Sequence, residues 1–178
     1  LAVVAEPLTL TLFGPPWFRV SEIVQVMCAV AMLQCLTNPT GWIYTSQART
    51  DLMFWWGVFG AGTLVAAIVT GIIVGDIRSV ALCYLAANLV LLYPAITIPG
   101  RLVGIGFRDV GVSVAGNLAA ALLMGVAVLA VRRLLVNLPV GLELGLAILS
   151  GVVAYASLAF VMRLAALREL SAVFSNPN

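Results

Sequence analysis

Charged residues divide the chain into long apolar runs. Between successive clusters of arginine and acidic side chains lie five uncharged stretches of 26, 24, 22, 22 and 19 residues, at positions 23–48, 52–75, 79–100, 110–131 and 144–162. A helix rises 1.5 Å per residue and the hydrocarbon layer is about 30 Å thick, so about 20 apolar residues make one crossing. The runs lack the alternation of a barrel strand, and the backbone in lipid must satisfy its own hydrogen bonds. The pattern predicts five transmembrane helices.

A sixth apolar segment at residues 7–18 is too short to cross. It ends in Phe13-Gly14-Pro15-Pro16-Trp17, which is typical of a helix terminus followed by a turn. The segment begins in mid-helix and without a methionine, so we expect a piece of a longer membrane protein. A cleaved signal fits less well, because residues 1–12 have no arginine-rich start and carry Glu6 in their middle.

The predicted fold class is an all-α polytopic helical bundle with five transmembrane helices and the end of a sixth. We expect residues 1–13 to end that sixth helix, 20–109 to form three spans, 110–163 to form two C-terminal spans, and 164–178 to be a polar tail. The joints are short, which predicts that consecutive helices are antiparallel neighbours. Alternate joints then lie on opposite faces of the membrane, with five arginines on one face (49, 101, 108, 163 and 168) and four on the other (19, 78, 132 and 133). Because cytoplasmic joints carry more arginine, the count favours a cytoplasmic location for the first face.

Composition narrows the chemistry further. Hydrophobic residues make up 63% of the chain and charged residues 9%, with nine arginines, no lysine and no histidine. That composition provides no basic surface for nucleic acid, and three cysteines without histidine provide no zinc or haem pattern. No base–nucleophile pair or phosphate cradle is present, and no run carries a carboxylate for proton relay. We therefore expect no cofactor, no metal and no enzymatic activity, with Cys28, Cys35 and Cys83 as small buried hydrophobes.

Polar residues inside the runs mark candidate binding positions. Gln34 and Asn38 lie four residues apart, on one face of a helix, whereas Gln25 lies about 180° from Gln34. Hydrogen bonds between packed helices explain most of the serines and threonines, and Asn88 is the leading exception. The spacing of Gly71 with Gly75, Gly100 with Gly104, and Gly141 with Gly145 indicates close helix packing.

Two prolines indicate irregularities. Pro94 lies inside the third run and predicts a kink over residues 90–94. Pro39 predicts the end of the first helix and an extension over residues 40–48, in which Trp42 and Tyr44 serve as aromatic anchors at the membrane interface. Trp55 and Trp56 would anchor the next helix in the same way.

Three segments, taken in order, resemble a known family. The segments are Leu12-Phe13-Gly14 with Trp17, Gln47-Ala48-Arg49-Thr50-Asp51, and Val80-Ala81-Leu82-Cys83-Tyr84. Together they resemble the polysaccharide-exporter branch of the multidrug, oligosaccharidyl-lipid and polysaccharide flippase superfamily. The likeness extends over about residues 1–109. Ala48 and Ser79 depart from the family pattern, which commonly has glycine at both places.

The resemblance implies a multi-pass protein of the cell membrane, the inner membrane in a Gram-negative bacterium. It implies that residues 20–109 belong to the second of two related lobes, which alternately expose a hydrated cleft to each side. The cargo would be a lipid-linked oligosaccharide or polysaccharide precursor for lipopolysaccharide, exopolysaccharide or capsule. The lipid bilayer, this glycolipid and other glycan-assembly membrane proteins are then the expected partners.

The resemblance also assigns candidate residues. Arg49 would pair with the pyrophosphate of the carrier, because its guanidinium fork matches phosphate oxygens. Gln34, Asn38 and Asn88 would contact sugar hydroxyls. The alternative for Arg49 is a positive-inside anchor beside Asp51. Two other functions stay open, namely part of an integral-membrane glycan enzyme such as a polymerase or acyltransferase, and a non-catalytic assembly subunit.

Overall fold

The computed structural model describes residues 1–135 and 139–161, and these form helices joined by short turns. Two single-turn helices, Ala2–Val4 and Pro15–Trp17, precede longer ones. The predicted polar tail and the last residue of the fifth apolar run lie outside the described residues. The α-helices are α1 (Ala5–Phe13), α2 (Phe18–Thr37), α3 (Thr40–Ser46), α4 (Thr50–Val74), α5 (Ile77–Val103), α6 (Phe107–Leu134) and α7 (Val140–Val161).

Five helical segments are long and apolar enough to cross a membrane. Their mean hydropathy lies between 1.6 and 2.2, and few of their side chains are buried within the chain. The segments are Pro15–Ser46, Thr50–Val74, Ile77–Val103, Phe107–Leu134 and Val140–Leu158, with Ala2–Phe13 as a shorter apolar helix. The five predicted spans are therefore confirmed, and the chain is an all-α multi-pass membrane protein.

Glycines, rather than charges, end α4 and α5. Arg101 lies within α5, and Arg132 lies within α6, although the charge pattern ended both runs before them. A long side chain reaches the interface from the last turn without interrupting the backbone. Gly75 and Gly104 adopt left-handed conformations, with φ of +93° and +73°, just after α4 and α5. Such a residue ends a helix because its N–H turns back to earlier carbonyls.

The expectation that consecutive spans pack as neighbours is only partly right. The pairs α4–α5 and α6–α7 are packed hairpins, but α2 packs on α5 instead of α4, and α5 touches α6 only slightly. α1 packs on both α2 and α7 and so links the two groups. Helices that are apolar all round carry no stripe that specifies a partner, so sequence order was a poor guide.

The glycine pairs have different roles. A Cβ on Gly71 would lie 2.4 Å from the Cα of Val80, so this glycine does permit close packing of α4 on α5. A Cβ on Gly100 would lie 2.3 Å from the carbonyl oxygen of Ile105, in the turn after its own helix. Close helix packing was the wrong interpretation for Gly141 and Gly145, because no described atom lies within 4 Å of a Cβ at either.

Hydroxyl groups in the spans bond within their own helix. Thr63 donates to the carbonyl of Phe59 at 2.9 Å, and Thr70 donates to that of Ala66 at 2.8 Å. Ser113 likewise donates to the backbone carbonyl four residues earlier. The prediction that such residues join neighbouring helices is therefore wrong for these three. A hydroxyl that donates to a carbonyl of its own helix is satisfied in lipid without a neighbouring helix.

Pro39 separates α2 from α3, as predicted. Trp42 is 79% exposed, as an interfacial anchor would be, but Tyr44 is only 1% exposed. α3 packs against both α5 and α4, and Tyr44 is among the largest fully buried side chains. The anchor interpretation of Tyr44 is therefore wrong. α5 continues as one helix through Pro94 and Pro99.

An ion-pair cluster ties the ends of three helices together. The Nε of Arg132 on α6 donates to Glu143 of α7 at 2.8 Å, and its Nη2 lies 3.7 Å from Glu6 of α1. The Nη1 donates to the carbonyl of Val3 at 2.6 Å. Arg132 is 20% exposed, so these contacts operate partly away from water. The acidic residues at these helix ends pair with arginine, as expected of anchors.

Candidate functional site

A cavity of about 430 Å³ lies between α2, α4 and α5, beside α3. Its volume falls in the range of about 300–1,000 Å³ that is usual for small-ligand sites. Five of its fourteen lining residues carry an amide or hydroxyl, and none is charged. The lining residues are Leu33, Gln34, Thr37, Asn38, Thr40, Trp56, Gly57, Gly60, Ala61, Leu64, Asn88, Leu91, Leu92 and Ala95.

Helical spacing places the polar side chains on one wall. Gln34 and Thr37 lie in the last turn of α2, and Asn38 follows with a helical backbone conformation, so that positions i, i+3 and i+4 share a face. Asn88 comes from α5, which packs on both α2 and α4. Three of the four sequence-predicted contact residues therefore line the same cavity.

The opposite wall, formed by α4, leaves space for a ligand because glycines there have no side chains. A Cβ added to Gly57 or Gly60 would meet no described atom within 4 Å. Both glycines line the cavity, and Trp56 stands beside them. Trp56 and Gly60 are four residues apart and therefore lie one above the other on the helix.

The amides are held in part by existing hydrogen bonds. The Nε2 of Gln34 makes a long bond of 3.4 Å to the hydroxyl of Tyr84, and the Nδ2 of Asn88 donates to the carbonyl of Tyr84 at 2.8 Å. The hydroxyls of Thr37 and Thr40 donate to backbone carbonyls. These bonds use the amide nitrogens, and within residues 1–135 and 139–161 the amide oxygens of Gln34 and Asn88 accept no side-chain hydrogen bond, so they can accept one from a ligand.

Arg49 lies outside this cavity, at the start of α4. Its Nε and Nη2 donate to the two carboxylate oxygens of Asp51 at 3.1 and 3.3 Å. This bond raises the pKa of the exposed Arg49 guanidinium above its ordinary value, so the charge is permanent. The structure does not bring Arg49 to the other predicted residues, and the bidentate pair agrees with the anchor alternative.

The joint before Arg49 has an unusual backbone. Ala48 has a φ of +50°, in the left-handed region that favours glycine. The amide of Arg49 then donates to the carbonyl of Tyr44 at 2.8 Å. The resembling family commonly has glycine at this position, and the observed conformation supplies the physical reason.

A second cavity contrasts with the first. It has a volume of about 610 Å³, lies between α2, α5, α6 and α7, and has an almost wholly apolar lining. Cys35 lines it and is exposed, and Cys28 and Cys83 are only half-buried, so the expectation of buried cysteines is wrong for Cys35 and only partly met by the other two. Leu33 borders both cavities. The cavity that contains Asn88 is the better match for a ligand with hydroxyl groups.

Trp56 was missed as a site residue by the sequence analysis, which placed it with Trp55 as an anchor. Trp55 is 68% exposed, whereas Trp56 is half-buried and faces the cavity. The signal that could have separated them is the Trp56–Gly60 spacing, which puts an aromatic ring above a position without a side chain. Thr37 and Thr40 were also missed.

Two curated proteins are similar to part of the chain. It is 32% identical over 71 residues to the lipopolysaccharide biosynthesis protein WzxC of Escherichia coli (strain K12), covering 40% of this chain and 14% of WzxC. It is also 32% identical over 76 residues to the teichuronic acid biosynthesis protein TuaB of Bacillus subtilis (strain 168), covering 40% of this chain and 16% of TuaB. The chain thus matches less than a fifth of either relative.

No protein-family model and no solved structure matches the chain. The resemblance noted in the sequence is confirmed, in that both relatives are named for the biosynthesis of surface polysaccharides. Both matches cover a shorter part of the chain than the 109 residues over which the motifs were traced.

Proposed function

We propose that this chain is part of a transporter that moves a lipid-linked oligosaccharide or polysaccharide precursor across the membrane by alternating access. The cavity between α2, α4 and α5 is the observation that carries the proposal, because it places uncharged hydrogen-bonding groups among membrane-spanning helices. The similarity to two proteins named for lipopolysaccharide and teichuronic acid biosynthesis supports a saccharide cargo.

The physical problem for such a transporter is desolvation of the sugar. Each hydroxyl that enters hydrocarbon without a partner costs several kcal/mol, on the order of 2–7. A path lined by amides replaces part of the lost water, and the lipid tail of the cargo stays in the bilayer. Gln34, Asn38 and Asn88 provide such groups at the cavity wall.

Filling the cavity tests the proposal. Gly60→Leu in the complete gene product places a side chain in the empty space beside Trp56, where a Cβ meets no described atom. Gly62→Leu is the matched control, because Gly62 is on the same helix with equally open surroundings but does not line the cavity. In a deletion strain complemented with each gene, Gly60→Leu should lower surface glycan export at least tenfold, with protein levels unchanged.

The same strains separate the rival functions. A transporter defect makes finished lipid-linked precursor accumulate in the cytoplasmic leaflet, whereas loss of a glycan polymerase or acyltransferase makes unfinished glycan accumulate. A pure assembly subunit would tolerate Gly60→Leu as well as Gly62→Leu. Normal export by the Gly60→Leu strain would refute the proposed role of this cavity.

A further inference from the structure

The ring of Trp56 is the one large aromatic surface on the wall of a cavity that is otherwise lined by amides, hydroxyls and aliphatic groups. Its neighbour Phe59 lies against it, with ring centroids 5.9 Å apart and planes tilted by 36°. That contact restricts the indole orientation. The indole also carries one N–H group, which is a hydrogen-bond donor.

A sugar ring has two kinds of surface that match this cavity. Its rim carries hydroxyls, which need donors and acceptors, and its face carries C–H groups, which pack on an aromatic ring. An indole offers a flat apolar face and one donor at its edge. Asn38 and Asn88 supply the polar groups, and Gly60 leaves room over the ring.

The lining also determines the charge that the cavity accepts. No lysine, arginine or acidic residue lines it, and the nearby Arg49 is bound to Asp51. A carboxylate or phosphate in this space would have no cation to replace its water, and an unpaired charge is far more costly to bury than a hydroxyl. An uncharged ligand avoids that penalty.

We propose that this cavity binds an uncharged sugar unit, with the C–H face of its ring on Trp56 and its hydroxyls on Asn38 and Asn88. The inference rests on the proposed function and specifies its substrate class at this position. Trp56 is then a binding residue and Trp55, one position along α4, is a lipid-facing residue.

Saturation-transfer NMR on the complete protein in lipid nanodiscs tests the proposal. The probes are two neutral disaccharides, cellobiose and lactose, and their counterparts in which one CH₂OH is oxidised to a carboxylate. Irradiation of aromatic protons should transfer saturation to ring C–H protons of a neutral probe, at least about fivefold more than to its acidic counterpart.

Three variants identify the residue responsible. Trp56→Leu should weaken the transfer about fivefold, Trp56→Phe should retain most of it, and Trp55→Leu should leave it unchanged. Retention in Trp56→Phe shows that any loss in Trp56→Leu is due to the aromatic face and not to misfolding. Equal transfer in Trp56→Leu and wild type, equal binding of acidic probes, or no transfer to either neutral probe would overturn the inference.

The outcomes separate this inference from the proposed function. If Gly60→Leu blocks export but Trp56→Leu leaves neutral-sugar binding unchanged, the transporter proposal stands and the role of Trp56 is lost. If a neutral sugar binds through Trp56 but Gly60→Leu exports normally, the sugar site stands and the transport role of the cavity is lost.

Discussion

Substitution of Gly71 tests the packing of α4 on α5, the helices that form two walls of the cavity. A Cβ at this buried position would lie 2.4 Å from the Cα of Val80 and 2.9 Å from its backbone nitrogen. Both are main-chain atoms, which cannot rotate away as the end of a flexible side chain can. Gly71→Ala must therefore push the start of α5 away from the end of α4.

The expected cost follows from the geometry. Carbon atoms in contact rest about 3.5–4.0 Å apart, so the helices must separate locally by more than about 1 Å. Overpacking of this kind costs about 1–3 kcal/mol. Alanine also favours helix over glycine by up to about 1 kcal/mol, which opposes the clash. Gly62→Ala isolates this second effect, because a Cβ there meets no described atom within 4 Å.

The comparison of Gly71→Ala with Gly62→Ala therefore cancels helix propensity and leaves packing. Equilibrium unfolding by titration with sodium dodecyl sulfate in mixed micelles, followed by circular dichroism, gives both free energies of unfolding. Gly71→Ala should be less stable than Gly62→Ala by about 1–3 kcal/mol. Equal stability of the two variants would refute the close packing of α4 on α5.

Three further predictions concern backbone strain and charge. Ala48→Gly should stabilise the protein by up to about 1 kcal/mol in the same titration, because glycine adopts the left-handed conformation freely; a loss of stability would contradict this. Arg132→Gln should destabilise by about 2 kcal/mol, since it leaves two carboxylates unpaired, while the exposed Arg133→Gln should have little effect. If Arg49 binds the pyrophosphate, Arg49→Ala should lower glycan export with protein levels intact. Asp51→Asn releases the guanidinium from its ion pair and should preserve export. Equal losses of export in the two variants would show that the Arg49–Asp51 ion pair, and not pyrophosphate binding, is what export requires.

The spans were predictable from the sequence because their causes are local. An uncharged stretch of about 20 residues in lipid has to satisfy its own backbone, which leaves only a helix. The end of α1 was predicted for a similar reason, since Gly14 and the two prolines after it break the helix locally. Charges were a poorer guide to helix ends, because Arg101 and Arg132 lie inside the last turns of their helices.

The neighbours of each helix were not predictable from the sequence pattern. Lipid and an adjacent helix are equally apolar, so the pattern on α4 does not distinguish the face that packs on α5 from the face that meets lipid. Gln34 and Asn38 line one cavity, in keeping with their helical spacing and with the cost of exposing amides to lipid. The burial of Tyr44 was not predictable either, because the helices against which α3 packs are not specified by its local sequence.

The most direct test of the account is whether water reaches the cavity from within a membrane helix. Gly60 lies about 15 Å along α4 from its start, well inside the span. In a protein with its three cysteines replaced by serine, Gly60→Cys and Gly62→Cys can be labelled with a membrane-impermeant thiol reagent. The account predicts rapid labelling of Gly60→Cys, slowed by the neutral disaccharides, and little labelling of Gly62→Cys. Equally slow labelling of both would contradict a hydrated sugar path between α2, α4 and α5.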